Sequence, residues 1–348
     1  MNAINRLLQV RSNDTGKTKK KFSSTFSDAE LIRPNIDRKL FNVSHYGVMI
    51  PNLPEPFKYF SIMAIIGTAG NRLIDTDHML VDKPGRNATQ VSGTAADGTG
   101  QFGSYSIDHD CDINTDGSLI QLGRDVTMTG LYPNIRLQVT RENFKLDIKL
   151  SCHDNVTWFA RSSFYKHLGL MADFSGHIEY QGQRHEISGP CTYEYFTMVG
   201  PYGYITRPLP RWLKVPMDFF SYQIVHIDND TQLMLAKVGV RGRTVLEAAF
   251  IRVRGEQGQR YAKSTRFEVT QFESEVRIAP DGQLMRLPRT FCWTVQDGEE
   301  IIATIEGTVD TPFTYGLCSG YVGGYKYDGD FMERSVSGRA YIEYVDAR

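Results

Sequence analysis

The chain has 348 residues, which is enough for about two domains of ordinary size. With 39 basic and 40 acidic side chains, its formal net charge is -1, which excludes a general electrostatic attraction to nucleic acid or to anionic lipid. The 41% share of apolar residues excludes a disordered chain, and the longest apolar run, Ile62–Ile66, is far shorter than the ~20 residues that span a bilayer. We therefore expect a soluble globular protein with no nucleic-acid partner and no transmembrane segment.

Residues 1–40 are predicted to form a polar N-terminal arm with short helices, which residues 2–10 and 28–40 could form. The apolar residues near the start are interrupted by Asn5, Arg6 and Gln9, so they do not make the apolar core of a secretory signal. The five cysteines are odd in number and form no C-x-x-C pair, which is typical of reduced thiols in a chain of this size. Both features predict a cytoplasmic location.

From Phe41 onward, alternating apolar and polar side chains predict β-strands. Residues 136–140, 144–150, 265–270 and 275–278 alternate in this way, which places one side of each strand on a core and the other in water. Such runs are separated by dipeptides ending in glycine, because two-residue hairpin turns need a positive φ. These dipeptides are Asp116-Gly117, Gln181-Gly182, Asp281-Gly282, Asp297-Gly298 and Asp328-Gly329. Many short strands with tight turns predict an all-β protein built from antiparallel barrels or sandwiches.

Residues 201–216 contain four prolines, which cannot lie in a central strand because proline has no amide donor. Tyr202 and Trp212 are among the aromatic residues of this segment, so it is predicted to pack as a connector between two halves. We therefore expect an N-terminal β-barrel domain at residues 41–200 and a C-terminal one at residues 217–348.

A short repeat supports two tandem domains. Residues 187–196 and 336–345 share serine, glycine, glutamate and tyrosine at four positions, each pair separated by 149 residues. A hairpin with the pattern Tyr-x-Gly precedes each copy, at residues 180–182 and 327–329. Similar endings at a fixed separation indicate a duplicated β domain.

Other local motifs predict neither a cofactor nor a metal site. Residues 98–103 match G-x-G-x-x-G, but an alternating strand follows where a dinucleotide fold needs a helix. Residues 112–117 begin like a calcium loop, yet Gly123 stands where the bidentate glutamate belongs, so an Asp-Gly hairpin is favoured over a weak cation site. The eight histidines and the cysteines show no zinc-ligand spacing.

The repeated ending S-G-x-x-x-x-E-Y, on two β domains, resembles a bacterial lipocalin-like superfamily that includes hydroxyneurosporene synthase, the carotenoid 1,2-hydratase. The resemblance covers roughly residues 41–348 and implies two calycin-type barrels with an apolar pocket inside or between them. The family's strand reads like G-x-x-W-x-D. In this chain Thr192 stands in place of the tryptophan and Glu194 in place of the aspartate, while the second copy has Tyr341 and Glu343 there. Because of these differences, we expect the chain to belong to an uncharacterised branch of this superfamily.

Hydration or isomerisation of a C=C bond, as the resemblance implies, needs particular groups. An acid must keep its proton in an apolar site, and aromatic faces must stabilise the cation that protonation creates. The candidate catalytic residues are Glu194, Glu343 and His45, the last of which begins an apolar strand leading to a stiff proline loop that also offers Glu55. The alternative is that both repeat glutamates are structural acids holding a barrel end, and that His45 only begins an edge strand. The candidate ligand-binding residues are Tyr193, Tyr195, Tyr202, Trp212, Trp158 and Tyr341.

Two functions are compatible with an apolar pocket, and the oligomeric state stays open. The first is cofactor-free acid–base chemistry, such as hydration, isomerisation or cyclisation, on an isoprenoid- or polyketide-like small molecule. The second is non-catalytic binding or carriage of a hydrophobic ligand. An enzyme requires a carboxyl or imidazole group with a shifted pKa in the pocket, whereas a carrier requires only aliphatic and aromatic walls. Barrels filled by their own side chains would support neither function.

Overall fold

A computed structural model describes residues 20–21, 23–27, 31–256, 258–262 and 264–348. The helix predicted over residues 2–10 lies outside this part of the chain, and residues 32–40, from the second predicted helix, form turns, bends and extended backbone. Across the described residues, strands make up nearly all regular structure, which confirms the predicted all-β fold class. No helix among them is long and apolar enough to cross a membrane. Short 3-10 helices lie at Asp77–Met79, Pro84–Arg86, Pro201–Gly203 and Arg211–Leu213.

Twelve strands form the first antiparallel sheet. They are β2 (Ser23–Thr25), β3 (Val43–Ile50), β4 (Phe60–Ile66), β5 (Asn87–Gly93), β6 (Gln101–Ser106), β7 (Cys111–Ile113), β8 (Leu119–Leu122), β9 (Val126–Leu131), β10 (Asn134–Thr140), β11 (Phe144–Arg161), β12 (Tyr165–Tyr180) and β13 (Gln183–Met198). Their spatial order is β6-β5-β4-β3-β13-β12-β11-β10-β9-β8-β7, with β2 beside β11.

Eleven strands form the second sheet, which is a nearly closed barrel. They are β1 (Lys20–Lys21), β14 (Met217–His226), β15 (Thr231–Val240), β16 (Arg243–Val253), β17 (Gln259–Tyr261), β18 (Thr265–Ile278), β19 (Leu284–Asp297), β20 (Glu300–Val309), β21 (Thr314–Leu317), β22 (Gly320–Phe331) and β23 (Arg334–Asp346). Their order is β1-β17-β16-β15-β14-β23-β22-β20-β19-β18, with β21 beside β22.

The strands of the two sheets are connected in the same way. In the first, the last strand β13 pairs with β3, near the start of the sheet; in the second, the last strand β23 pairs with β14 in the same way. The two copies of the sequence repeat lie on β13 and β23, so they occupy equivalent places. Equivalent positions of the repeat therefore lie between equivalent strands in the two halves.

Alternating burial explains why the strands form and where the core lies. Along the first half of β11, the side chains of Phe144, Leu146, Ile148 and Leu150 are buried, while those between them are exposed or half-buried. Burial of this kind contributes about 25 cal/mol per Å² of apolar surface. Each sheet encloses an apolar cluster, but the cluster of the second sheet also contains Phe196 and other side chains from the first. Because the two apolar cores meet, packing does not separate the two halves. We therefore propose the division into two domains from the strand connectivity alone.

The connector between the sheets is fixed to the first sheet by a buried ion pair. Nζ of Lys214, whose side chain is 5% exposed, lies 2.8 Å from Oδ2 of the fully buried Asp75 and 2.6 Å from Oδ2 of Asp77. The backbone N–H of Val215 donates to the carbonyl of Gly70 at 2.8 Å. The same carboxyl of Asp75 accepts from two backbone N–H groups, so it orders the loop that holds the connector.

Replacing Lys214 by alanine should destabilise the protein by about 3–5 kcal/mol, because Asp75 would then be buried without its cation. Urea unfolding of the variant and the wild type measures the difference. Lys145→Ala is the matched control: Lys145 pairs with Glu179 on the surface, and its loss should change stability by no more than about 0.5 kcal/mol. Equal effects of the two substitutions would contradict the prediction.

Candidate active site

A cavity of about 160 Å³ lies where the two sheets meet. Strands of both sheets and the end of the connector line it, and most of the lining side chains are apolar. The aromatic ones are Phe159, Tyr165, Phe196, Phe220 and Tyr222. Two carboxyl groups and two imidazoles interrupt this apolar wall, and they belong to Glu194, Glu343, His45 and His167. The cavity thus brings together the three residues predicted to be catalytic, whose catalytic role stays a prediction.

Glu194 extends from β13 between two glycines. It is paired with Gly47 on β3 and with Gly169 on β12, so neither neighbouring strand places a side chain beside it. A Cβ on Gly169 would lie 3.6 Å from Oε1 of Glu194 and 3.0 Å from Nη1 of Arg252. Gly169 therefore makes room for the carboxyl group, whereas a Cβ on Gly47 would meet the ring of His45 and the side chain of Met49.

Burial holds the Glu194 carboxyl in its neutral form. Its residue is 2% exposed, and desolvation raises the pKa of the group to about 8, although the nearby charge of Arg252 opposes this. Oε1 of Glu194 has no hydrogen-bond partner in the protein. A carboxylic acid that keeps its proton at neutral pH and faces an apolar cavity can act as a proton donor.

His167 lies beside this acid. Its Nε2 is 3.5 Å from Oε2 of Glu194, and its Nδ1 is 2.8 Å from the hydroxyl of Tyr165. Burial lowers the pKa of His167 to about 3, so the imidazole is neutral. Its Nε2 and the hydroxyl of Tyr222 are buried without a hydrogen-bond partner, which leaves both polar groups available to a ligand.

His45 is a second neutral imidazole in the wall. Its Nδ1 lies 3.1 Å from the carbonyl oxygen of Ala64, which can only accept, so Nδ1 carries the proton and Nε2 has the free lone pair. Desolvation, followed by the influence of His167, lowers the pKa of His45 to about 3. Its ring stacks on Phe196 with centroids 4.8 Å apart. At neutral pH, His45 can accept a hydrogen bond but carries no charge.

Glu343 brings the carboxyl group of the second repeat to the same cavity. It is 3% exposed and accepts a hydrogen bond of 3.0 Å from the hydroxyl of Tyr341. Burial raises the pKa of Glu343 well above its ordinary value, and the charge of Glu194 raises it further. Two carboxyl groups that influence each other in this way do not both ionise readily.

Arg252 supplies a buried positive charge behind Glu194. Its Nη2 donates to Oγ1 of Thr192 at 2.9 Å and to Oε1 of Gln232 at 2.6 Å, while Nε and Nη1 have no hydrogen-bond partner. Desolvation lowers the pKa of Arg252 to about 10, which still leaves it protonated at neutral pH. Thr192, which stands where the resemblance has tryptophan, thus links the first sheet to a cation of the second.

Strand alternation corrects the predicted aromatic pocket. Glu194, Phe196 and Met198 line the cavity, so Tyr193 and Tyr195 extend from the opposite side of β13 into the core of the first sheet. Tyr193 and Tyr195 were expected to share a pocket with Glu194. Adjacent side chains of a strand extend to opposite sides, however, so the two tyrosines lie away from the cavity.

The other four predicted ligand residues also lie away from the cavity wall. Tyr202 is buried in the connector and accepts a hydrogen bond from the N–H of Leu209, and Trp212 is 73% exposed. Trp158 packs against the core of the first sheet and, with Tyr195, lines a separate pocket. Tyr341 contacts the site only through its hydrogen bond to Glu343. Among the described residues, none of the six predicted ligand-binding residues belongs to the aromatic side chains that line the cavity.

Sequence reasoning missed His167, Tyr165 and Arg252. The one signal for Arg252 is a basic residue inside the apolar run 248–253, which is unusual unless the charge has a buried role. The sequence has no comparable signal for His167. In the described part of the chain, no group of three or more His, Cys, Asp or Glu side chains is arranged to hold a metal ion.

Arg252→Met should raise the pKa of Glu194 above about 8, by about one pH unit, because the carboxylate loses its nearby positive charge. Isotope-edited infrared titration of the carboxyl groups measures this. Arg254→Met is the control, because Arg254 pairs with Asp173 and Asp230 near the surface. An unchanged Glu194 titration in the Arg252 variant would show that the two groups are not coupled.

Glu194→Gln should gain stability relative to the wild type as pH rises. The pKa of the Glu194 carboxyl is 4.5 in the unfolded chain and about 8 in the folded protein. The protonated acid therefore makes its full contribution to stability below pH 4.5, and this contribution is lost as pH rises to about 8. The relative gain is roughly 4 kcal/mol between about pH 4 and pH 9. Urea unfolding at several pH values measures it. Glu186→Gln, on the same strand but exposed, should not gain on the wild type over this range, because Arg184 lowers the pKa of Glu186.

Solved structures share this fold. A provisionally assigned AttH protein from Nitrosomonas europaea superposes with a TM-score of 0.62, at 14% identity over 88% of this chain and 93% of that chain. Kievitone hydratase from Nectria haematococca superposes with a TM-score of 0.54, at 11% identity over 96% of this chain and 99% of the hydratase. At these identities the likeness concerns the fold alone. It confirms the predicted architecture of two tandem lipocalin-like β domains.

No curated protein matches the sequence. A family model described as "Family of unknown function (DUF6670)" matches residues 63–348, so the chain belongs to this family.

Proposed function

We propose that the protein binds an apolar small molecule in the cavity between its sheets and performs cofactor-free acid–base chemistry on a C=C bond. The observation that carries this proposal is the neutral, buried carboxyl group of Glu194 in a mostly apolar wall. A carrier needs no such group, and burying an ionisable side chain without a partner for Oε1 destabilises a fold. The hydratase among the structural neighbours, which shares the fold, is compatible with chemistry of this class.

The cavity size limits the substrate. A cavity of about 160 Å³ is close to those that hold one benzene-sized ring. An isoprenoid- or polyketide-like molecule would therefore place one ring or one branched end inside. Val215 and Met217, at the end of the connector, are lining residues that are not fully buried, so the remainder of a longer molecule would leave on that side.

The chemistry begins with transfer of the Glu194 proton to one alkene carbon, which leaves a carbocation and the Glu194 carboxylate. The rings of Phe159, Tyr165 and Phe196 surround the cation and stabilise it. The charge of Arg252 stabilises the carboxylate as it forms. Isomerisation is completed when the carboxylate removes a proton from a neighbouring carbon, and this restores the acid.

Hydration needs one water molecule beside the cation. Nη1 of Arg252 and Oε1 of Glu194 are both unpartnered and face the same space over Gly169, so a water bound there would touch both groups. Its oxygen would bond to the cation and its proton would pass to the Glu194 carboxylate. The carboxyl of Glu343, which accepts a hydrogen bond from Tyr341, provides a second acid in the cavity wall.

The test uses the full chain and a panel of cyclic and branched alkenes of about six to ten carbon atoms in D2O. The wild type should bind at least one of them, seen as a thermal shift, and should incorporate deuterium, seen by mass spectrometry. Glu194→Gln should keep the binding and reduce incorporation at least about 100-fold, the size of a general-acid contribution. Glu186→Gln should behave as the wild type.

Two outcomes would contradict the proposal. Binding without deuterium incorporation in the wild type would favour the alternative, a carrier of hydrophobic ligands, which the apolar wall also supports. Incorporation that survives in Glu194→Gln would show that another group donates the proton. Native mass spectrometry of protein from its own host, searching for a bound lipid, identifies the ligand in either case.

A further inference from the structure

Exposed apolar side chains are concentrated on the connector. Within residues 204–215, five large apolar side chains are exposed, and outside this segment no stretch of twelve described residues carries more than three. They are Tyr204 (67% exposed), Ile205 (38%), Trp212 (73%), Leu213 (52%) and Val215 (36%). A concentration of exposed apolar side chains marks an interaction surface more often than scattered apolar residues do. We call these five residues the connector patch.

The connector patch is held in place by its backbone. Pro208, Pro210 and Pro216 restrict φ, and Lys214 is tied to Asp75 and Asp77. The carbonyl of Pro210 accepts from the N–H of the leucine that ends the short helix at 211–213. The apolar side chains therefore project from an ordered segment, and little conformational entropy would be lost when they are covered.

The connector itself carries basic and no acidic side chains, although the chain as a whole is nearly neutral. Residues 195–217 contain no aspartate or glutamate, while Arg207 and Arg211 are exposed within them. Lys39 lies over the ring of Tyr204 at 5.7 Å from its centroid. Of the nearby carboxyl groups, Asp77 is paired with Lys214, and Asp281 shares a surface pocket with Arg211 and Arg72. Basic and aromatic side chains together are the composition of segments that bind anionic membrane surfaces.

The connector patch is also continuous with the cavity. Val215 is 36% exposed and at the same time lines the cavity, next to Met217. An apolar molecule entering at this point would not have to cross water if the patch lay against lipid.

We propose that the connector patch docks on the surface of an anionic lipid bilayer, with Trp212 and Leu213 inserted among the lipids and Arg207 and Arg211 at the headgroups. The docking surface itself does not depend on the chemistry of the cavity; only its use, delivery of apolar substrate from lipid, rests on the proposed function.

Co-sedimentation of the full chain with vesicles tests the proposal. Vesicles of phosphatidylcholine with roughly 30% phosphatidylglycerol should bind the wild type at least about fivefold more tightly than phosphatidylcholine alone. The double variant Trp212→Ser/Leu213→Ser should lose at least about tenfold of this affinity. Arg207→Gln/Arg211→Gln should remove the preference for the anionic vesicles while keeping the weaker binding.

Ile301→Ser/Met332→Ser is the matched control, because these residues are 57% and 46% exposed and lie at the opposite end of the second sheet from the 281–283 turn, which shares a pocket with Arg211. This variant should bind vesicles as the wild type does. Circular dichroism of each variant confirms that it is folded.

Three results would overturn the proposal: no binding to anionic vesicles, an equal loss in the control, or a dimer in native mass spectrometry that Trp212→Ser/Leu213→Ser abolishes. The last would assign the connector patch to a second copy of this chain. Deuterium incorporation into a water-dispersed alkene should be unchanged in Trp212→Ser/Leu213→Ser. Failure of docking can thereby be distinguished from failure of the cavity chemistry.

Discussion

Desolvation of the Glu194 carboxyl is the physical effect on which the candidate site depends. In water this acid would be ionised at neutral pH, and it could not protonate an alkene. In the junction between the sheets it is buried beside apolar side chains, and its pKa rises to about 8. The same burial keeps the imidazoles of His45 and His167 neutral, so polar groups that would be charged in water meet here uncharged. One environment therefore determines the protonation state of every titratable group in the cavity wall that this chemistry would use.

Duplication explains how two acids come to face one cavity. Each half ends in a strand that pairs with the first long strand of its own sheet, and each of these last strands carries a glutamate at the same place in the repeat. Both strands reach the cavity between the sheets, so the glutamates at equivalent positions line it together. The surroundings of the two acids then differ: Glu194 lies between two glycines and near Arg252, whereas Glu343 accepts a hydrogen bond from Tyr341. This asymmetry is compatible with a donor on one side and a supporting acid on the other.

The sequence pattern predicted what depends on local regularity and missed what depends on contacts between distant strands. The alternation of residues 144–150 predicted a half-buried strand, and the repeat drew attention to Glu194 and Glu343, which the structure places in one cavity. The same alternation, applied to β13, could have shown that Tyr193 points away from Glu194. Arg252 was beyond such reasoning, since its contact with Thr192 joins residues 60 positions apart on different sheets. The connector was recognised from its prolines, but its exposed face could not be known before the packing partners of Tyr202 were seen.

Thr192 gives the cavity its particular character. A tryptophan at this position, as in the family that the sequence resembles, would fill space that the Arg252 guanidinium now shares with the threonine hydroxyl. An indole would add an aromatic face for a cation, whereas a guanidinium repels a cation and attracts a carboxylate. Thr192 also donates to Gln232, whose amide in turn donates to the backbone of Cys191, so the guanidinium is held in a fixed orientation behind Glu194. In the proposed chemistry, a buried positive charge in place of an aromatic ring would shift stabilisation from the substrate cation to the acid that has given up its proton. Such a site would favour substrates whose own structure, through branching or conjugation, already stabilises the cation.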